Sequence, residues 1–221
     1  MATYDLEEQE KLDELKTWWK LHGNLITNML LVVALVAAGW QGWNWWQRKQ
    51  ATQASAVFHA LQTAVTQRDA KRVRDLAGEL VDKYSVTEYA AMGALLAARA
   101  QAEAGDPKSA RVQLTWVAEN AKDPGLRDVA RLRLATVLLD EKAYDEALKQ
   151  LSATPLAAFQ PRFAELRGDI LAAQGKASDA RGAYYAALTQ IETLAKDDPG
   201  RLRGGYKEIL QAKRDSVGTA K

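Results

Sequence analysis

Residues 23–47 read GNLITNMLLVVALVAAGWQGWNWWQ and contain no charged side chain. About 20 apolar residues, at a rise of 1.5 Å per residue in a helix, cross the ~30 Å hydrocarbon layer of a bilayer. Thr27 and Asn28 are the polar residues of the apolar centre, and both stand near its start, where the membrane interface tolerates them. We therefore predict that residues 23–47 form a single transmembrane helix.

Tryptophans mark both ends of this segment. Trp19 and Trp46 are 27 residues apart, which is ~40 Å along a helix and close to the thickness of a bilayer with its headgroups. Tryptophan prefers the headgroup region, where one edge of the ring is wet and the rest is buried. We predict that six of the seven tryptophans lie at the membrane interface: Trp18, Trp19, Trp40, Trp43, Trp45 and Trp46.

A cleaved signal peptide is the alternative for this segment, since residues 37–39 (Ala-Ala-Gly) have the small side chains of a cleavage site. The region before the apolar centre is acidic and about 20 residues long, unlike the basic start of a signal peptide. We therefore predict an uncleaved signal-anchor. Lys11, Lys16 and Lys20 precede it and Arg48 and Lys49 follow it, which favours a cytoplasmic N-terminus with the large domain outside the cytoplasmic membrane.

Residues 1–22 are predicted to be a cytoplasmic amphipathic segment. They carry six acidic residues and three lysines, and Leu12, Leu15 and Trp19 share one face at helical spacing. Acidic side chains crowd the first turns and lysines the last, which suits the helix dipole. Two interpretations stay open: an interfacial or partner-binding helix, or a segment that only seats the anchor.

Residues 48–221 repeat with a period of 33–37 residues. Small or turn-forming residues recur at matching positions, and the second helix of each unit carries a large residue four positions after an alanine. The aligned sets are Ala98, Ala135 and Gly168; Gly105, Lys142 and Gly175; Ala110, Ala147 and Ala180; Leu114, Leu151 and Tyr184. This pattern predicts an all-α chain whose membrane helix is followed by a tetratricopeptide-like α-solenoid of helix–turn–helix repeats. We expect three repeats, a degenerate unit over about 50–83 and a capping helix over about 201–214; the alternative is a non-repetitive α-bundle.

First helices of such repeats line a concave surface that suits an extended or helical peptide. The repeat alignment gives the following candidate partner-binding residues: Met92, Leu95, Arg99 and Glu103; Val129, Leu132, Thr136, Leu139 and Asp140; Arg162, Glu165 and Asp169. The alternative is that the apolar members, above all Leu95, Leu132 and Leu139, belong to the core.

Residues with catalytic chemistry are sparse in the sequence. It has no cysteine, its two histidines (His22 and His59) are far apart, and no zinc-protease, nucleophile-elbow or phosphate-loop motif occurs. We therefore expect neither an enzyme nor a cofactor or metal. Basic clusters at 68–74 and 127–133 lack the interleaved aromatic residues of a base-stacking surface, so we expect contact with the lipid bilayer or a partner and not with nucleic acid.

Two features together resemble a known family. The N-terminal run YDLEEQEKLDELKTWWK (residues 4–20) precedes Gly23 and Asn24, and the single span ends in the run Gly39-Trp-Gln-Gly-Trp43. With the degenerate repeats, these segments resemble the YfgM family, the ancillary subunits of the bacterial Sec translocon. The resemblance covers the whole chain, and the family has no catalytic residues to transfer.

The resemblance implies a single-pass protein of the bacterial inner membrane with residues 48–221 in the periplasm. It implies association with the SecYEG translocon and with the membrane-anchored periplasmic chaperone PpiD. The implied role is a scaffold that links the export of secreted client polypeptides to periplasmic chaperones through protein–protein interaction. Three alternatives remain: a repeat scaffold for envelope assembly or cell division, a membrane-linked enzyme, and a tether whose repeat face is inert.

Overall fold

The computed structural model describes residues 2–197 and 205–217, and every regular element in these ranges is helical. The 3₁₀-helix spans Ala157–Phe159. The α-helices are α1 (Ala2–Thr66), α2 (Ala70–Tyr84), α3 (Glu88–Glu103), α4 (Pro107–Asn120), α5 (Pro124–Asp140), α6 (Tyr144–Gln150), α7 (Gln160–Ala173), α8 (Ala177–Asp197) and α9 (Tyr206–Ser216). The all-α fold predicted from the sequence is confirmed.

The chain divides into two compact units, Met1–Gln50 and Ala51–Lys221. The described part of the first unit is one continuous helix, so the predicted amphipathic segment does not end before the apolar segment begins. Only 6% of the most apolar 18-residue window of this helix is buried within the protein. A core helix of a globular protein would be largely buried, and this one is long and apolar enough to cross a membrane.

The second unit is a stack of helix pairs. The end of α1 pairs with α2, and α3 with α4, α5 with α6 and α7 with α8. Each helix also packs on the helix that follows it in sequence, and the first helices α3, α5 and α7 contact one another in order. Short turns opened by aspartate caps, such as Asp69 and Asp106, start second helices because the carboxylate accepts an otherwise unpaired amide of the first turn.

One turn geometry recurs in all four pairs. Arg68, Gly105, Lys142 and Gly175 have φ of 55°, 80°, 62° and 75°, and the sequence places them 37, 37 and 33 residues apart. After each, the amide of the next residue donates to the carbonyl five residues earlier at 2.8–3.0 Å. Glycine adopts this left-handed conformation freely, whereas arginine and lysine are strained in it. The predicted period is therefore confirmed, and the degenerate first unit has the same turn as the three repeats.

Small side chains let the paired helices approach closely. Ala98 and Ala135 are buried in the first two repeats, and Gly168 takes the same place in the third. A Cβ atom at Gly168 would lie 2.5 Å from the ring of Tyr184, a distance that a Cβ cannot keep. Glycine is needed there because the third repeat has tyrosine where the others have the shorter side chains of Leu114 and Leu151.

The core runs through the stack. One cluster joins α3 to α7 through Leu114, Leu138 and Ile170, and another joins the end of α1 to α2 and α3 through Leu61 and Leu80. Each such leucine stabilises the fold by about 1.5–3 kcal/mol relative to an exposed one. The second helix of the second repeat, α6, has only 7 residues and gives way to an irregular segment before the 3₁₀-helix.

The chain closes the stack with α9. Its Leu210 is buried against Leu188 and Ile191 of α8. The predicted capping helix is thus confirmed over Tyr206–Ser216, while residues 201–204 of that prediction lie outside the described part of the chain. Pro161 lies in the first turn of α7, where proline is tolerated because that amide has no intrahelical acceptor.

Candidate partner-binding site

The predicted apolar lining of the first two repeats faces the core to a large extent. Leu95 is 7% exposed, and Val129, Leu132 and Leu139 are partly buried against the same cluster. Met92 is half-buried on α3. These side chains contribute more to packing between repeats than to an open surface.

The predicted polar lining of the same repeats is exposed. Arg99 and Glu103 on α3 form an ion pair, with Nε of Arg99 2.7 Å from Oε1 of Glu103. Thr136 and Asp140 lie exposed on α5. An exposed pair at this spacing contributes little to stability, so these four side chains are available to a partner at small cost.

The third repeat differs because α9 covers its predicted lining. Glu165 and Asp169 lie on one face of α7, and Nζ of Lys213 is 2.8 Å from Oε1 of Glu165 and 2.8 Å from Oδ2 of Asp169. The hydroxyl of Tyr206 donates to Oε2 of Glu165 at 2.8 Å. The hydroxyl of Tyr184 donates to Oδ1 of Asp169 at 2.8 Å. Charge-assisted bonds of this kind are roughly twice as strong as neutral ones.

Arg162 completes this network, which we name the α9 clasp and define as Arg162, Glu165, Asp169, Tyr184, Tyr206 and Lys213. Nη1 of Arg162 lies 2.9 Å from Oε2 of Glu165. Its guanidinium carbon lies 4.0 Å from the centre of the Tyr206 ring, a cation–π contact. The carboxylate of Glu165 is buried but carries three donors, which offset its desolvation.

The ionisation of the clasp follows from its geometry. Burial alone would raise the pKa of Glu165, but hydrogen bonds from Lys213 and Tyr206 and the charges of Lys213 and Arg162 hold it below its ordinary value. Burial would lower the pKa of Lys213, but the bonds to Asp169 and Glu165 raise it. Burial, then the bond to a carboxylate, raises the pKa of Tyr184 and of Tyr206. Glu165 and Lys213 are therefore charged at neutral pH, and both tyrosines are neutral donors.

Sequence reasoning selected the α7 half of the clasp and missed the α9 half. The repeat alignment places Glu165 at the position of Leu95 and Leu132, so an acid stands where the other repeats have an apolar residue. An acidic residue at an otherwise apolar position was the sequence feature that indicated a cationic side chain of the same chain as its partner. Lys213 is 48 residues away from Glu165 and belongs to no repeat position, so spacing alone could not assign it.

The basic cluster at 127–133 has a structural role. Nη1 of Arg127 donates to the carbonyls of Ala121 and Lys122 at 2.7 and 3.0 Å, at the end of α4. Arg131 lies 3.4 Å from Asp128. Arg127 thus stabilises the end of α4, and the contacts of both arginines within the chain leave them less available for an outside ligand.

The membrane segment forms a second candidate surface, in the first unit. Five of its predicted interface tryptophans are exposed and Trp46 is half-buried. The rings of Trp43 and Trp46 lie 5.2 Å apart, and Nζ of Lys49 lies 5.4 Å from the ring centre of Trp45. Aromatic rings beside a lysine suit the headgroup region, where both water and hydrocarbon are at hand.

The similarity of this chain to known proteins covers both the N-terminal helical unit and the repeat unit. Residues 16–219 match the family model of the tetratricopeptide repeat-like domain. The chain is 33% identical over 213 residues to the ancillary SecYEG translocon subunit of Neisseria gonorrhoeae, covering 96% of this chain and 98% of that protein. It is 30% identical over 184 residues to the protein of the same name in Haemophilus influenzae, covering 83% and 90%. The Escherichia coli counterpart is 26% identical over 195 residues, covering 88% and 93%.

Proposed function

Because this chain belongs to the YfgM family of ancillary SecYEG translocon subunits, with their tetratricopeptide repeat-like domain, we propose that it is a membrane-anchored scaffold of the Sec translocon. The observation that carries the proposal is the reach of the similarity, which includes the apolar N-terminal helix as well as the repeats. A repeat domain alone would be compatible with many partners. The scaffold acts by binding and not by catalysis.

Its place in this proposal is the bacterial inner membrane. Residues 23–47 span the bilayer once, the N-terminus lies in the cytoplasm and the repeat domain lies in the periplasm. The exposed apolar helix supports the span, and the three lysines before it against two basic residues after it support the orientation.

The finer part of the proposal is a link from export to folding. The scaffold brings secreted client polypeptides at the channel exit to periplasmic chaperones such as PpiD. The exposed polar side chains of the first two repeats, Arg99, Glu103, Thr136 and Asp140, support a partner surface there, because α9 covers the corresponding face of the third repeat only. Contacts of this polar kind suit transient partners.

Co-purification tests the partner. Membranes are solubilised gently, the protein is captured through a C-terminal tag, and the co-purifying proteins are identified. In one variant an unrelated single-span anchor replaces residues 1–50; in a second, Arg99 and Asp140 are reversed in charge. We expect SecYEG with the native chain and its loss with the foreign anchor. We expect the chaperone to be lost with the charge reversals while SecYEG is retained.

Two outcomes would reject parts of this scheme. Recovery of cell-division or envelope-assembly proteins without SecYEG would replace the translocon by that alternative. If the charge-reversed variant recovers SecYEG and binds the chaperone as well as the native chain does, the polar surface of the first two repeats is not the chaperone site. The proposed contact between the anchor and SecYEG would be unaffected.

Thiol labelling tests the orientation. The chain has no cysteine, so Lys16→Cys and Ser178→Cys each introduce the sole thiol at an exposed position. In intact cells with a permeabilised outer membrane, an impermeant maleimide should label the second variant and not the first. The reverse pattern would invert the proposed topology.

A further inference from the structure

A cavity of about 520 Å³ lies between the first two turns of the stack. One side comes from the turn between α1 and α2, with Arg68 and Val73, and the other from the turn between α3 and α4, with Gln101 and Asp106. Much of the remaining wall is formed by small apolar side chains. Its volume falls within the range of sites for small ligands, and it lies at the turn end of the helix pairs, where it shares Glu103 with the predicted lining of the concave surface.

Gln101 is an exception within the repeat pattern. The equivalent residues of the other units are Ala64, Leu138 and Leu171, and all are apolar. Gln101 is 5% exposed, and neither its side-chain oxygen nor its nitrogen has a hydrogen-bond partner in the described ranges. A buried polar group left unpaired costs about 1–3 kcal/mol. Packing does not require glutamine here, and its amide is available to a group that enters the cavity.

Arg68 supplies a cation to the same cavity. It has no ion pair among residues 2–197 and 205–217, and its side chain is exposed. The two acids of the lining have other cationic neighbours in the described ranges: Glu103 lies 2.7 Å from Arg99, and Asp106 both pairs with Arg74 at 3.4 Å and accepts from the amide of Ser109 at 3.1 Å. The guanidinium of Arg68 is therefore open to an outside anion.

We propose that this cavity binds a polypeptide segment that carries a carboxylate. A glutamine amide offers one acceptor and an NH₂ donor group, which together complement the N–H and C=O of a peptide group. A guanidinium binds a carboxylate with two parallel hydrogen bonds. Gln101 lies in the wall of the cavity with its amide unpartnered, and in this proposal the amide pairs with a peptide group of the ligand. Arg68 then holds the carboxylate at the rim.

This site goes beyond the proposed translocon role, since it requires neither the channel nor a particular chaperone. Its occupant is a segment of another polypeptide, and the apolar wall accommodates an aliphatic neighbour of the acid. The carboxylate belongs either to an aspartate or glutamate side chain or to a chain terminus, and both present the same chemistry to Arg68.

Fluorescence anisotropy with the full chain in lipid nanodiscs tests the proposal. The probe is a labelled, C-terminally amidated hexapeptide of alanine and leucine with one central glutamate. A matched peptide has glutamine in its place, and a third lacks the acid but has a free C-terminus. We expect the glutamate peptide to bind at least about tenfold more tightly than the glutamine peptide. Tighter binding of the third peptide would assign the site to a chain terminus.

The repeats supply matched variants. Gln101→Leu introduces the residue found at 138 and 171, and Arg68→Gly introduces the residue found at 105 and 175, so both variants are expected to fold. Each should weaken peptide binding about tenfold or more. Lys142→Gly relieves the same backbone strain in another turn and should leave binding unchanged. Arg68→Asn, which also tolerates the left-handed conformation, provides a second loss of charge.

Three results would overturn the proposal. The first is no binding of any peptide by the native chain at millimolar concentration, which would assign the cavity and its amide to water. The second is equal binding by the Gln101→Leu and Arg68→Gly variants. The third is displacement of the glutamate peptide by inorganic phosphate at equal concentration, which would make this a general anion site.

Discussion

Nζ of Lys213 lies 2.8 Å from Oε1 of Glu165, so a lysine of the last helix is paired with an acid buried in the first helix of the third repeat. In the other repeats the position of Glu165 is apolar and packs within the stack. In the described part of the chain, α9 follows the third repeat and packs on α8. Terminal units of solenoids need such caps because their outer face would otherwise expose apolar surface.

Lys213→Ala should loosen α9. The change leaves Glu165 buried with one donor fewer and Asp169 without its cation, and we expect a loss of about 1–2 kcal/mol in the stability of α9 docking. Hydrogen–deuterium exchange of α9 amides measures it. Lys207→Ala is the control, since Lys207 pairs with the exposed Glu192, and its effect should be below about 1 kcal/mol. Equal exchange in both variants would contradict this account of the clasp.

Acid should release α9. The folded-state pKa of Glu165 is below its ordinary value of 4.5, so its stabilising effect is complete above 4.5 and is lost as the pH falls through the lower folded value. The pKa of Lys213 is above 10.5, so its effect is complete below 10.5 and is lost as the pH rises through the higher value. Relative to the intrinsic exchange rate at each pH, we expect strong protection of α9 amides between these limits and weaker protection as the pH falls below 4.5 through the folded-state pKa of Glu165.

Glu165→Gln should remove much of that acid sensitivity. The amide cannot titrate, so docking should be weaker at neutral pH but should change less on acidification. Glu192→Gln serves as the control because Glu192 is exposed and pairs only at the surface. The same acid response in the native chain and in Glu165→Gln would assign the effect to other carboxylates.

Gly168→Ala should destabilise the third repeat. The new Cβ would meet the Tyr184 ring, and we expect a net loss of about 1–3 kcal/mol in the free energy of unfolding. In a Tyr184→Leu background the same change recreates the alanine–leucine pair of the first two repeats and should stabilise by about 0.5–1 kcal/mol through helix propensity. Chemical denaturation of the native chain, the two single variants and the double variant gives a double-mutant cycle. Equal effects in both backgrounds would show that the ring does not set the choice of glycine.

Lys142→Gly and Gly175→Ala, two replacements at the recurring turn, should change the stability of the fold in opposite directions. Lys142→Gly removes a left-handed lysine and should stabilise by up to about 1 kcal/mol, while Gly175→Ala introduces the same strain and should cost about 1 kcal/mol. Thermal unfolding of the detergent-solubilised chain measures both. A loss of stability in both variants would show that the side chain of Lys142 contributes more than its backbone strain costs.

Val33→Arg should impair membrane insertion. Val33 lies near the middle of the exposed apolar segment, where an arginine costs about 2.5–3.5 kcal/mol. Carbonate extraction should release part of the variant from membranes, while Trp45→Arg, at the interface, should remain bound. Full retention of Val33→Arg would argue against a span centred there.

Sequence patterns predicted the elements that depend on local periodicity. The apolar run and its tryptophans indicated the long helix, and the spacing of Gly105, Lys142 and Gly175 indicated the turns. The α9 clasp could not be predicted in this way, because Lys213 reaches Glu165 through packing of a helix outside the period. Burial of Leu95 was likewise undecided, since one amphipathic face serves both a groove and a core.

The short α6 makes a weak joint between the helix pairs that precede it and those that follow it. Solenoids hold together through contacts between neighbours alone, and α6 offers 7 residues where α4 offers 14 and α8 offers 21. Two side-chain hydrogen bonds hold the irregular segment after it: the amide of Leu156 donates to Oδ2 of Asp128 at 2.8 Å, and Nη2 of Arg167 donates to the carbonyl of Leu151 at 2.8 Å. Under tension or partial denaturation, we therefore expect the array to part at this joint and α7, α8 and α9 to separate together as one block.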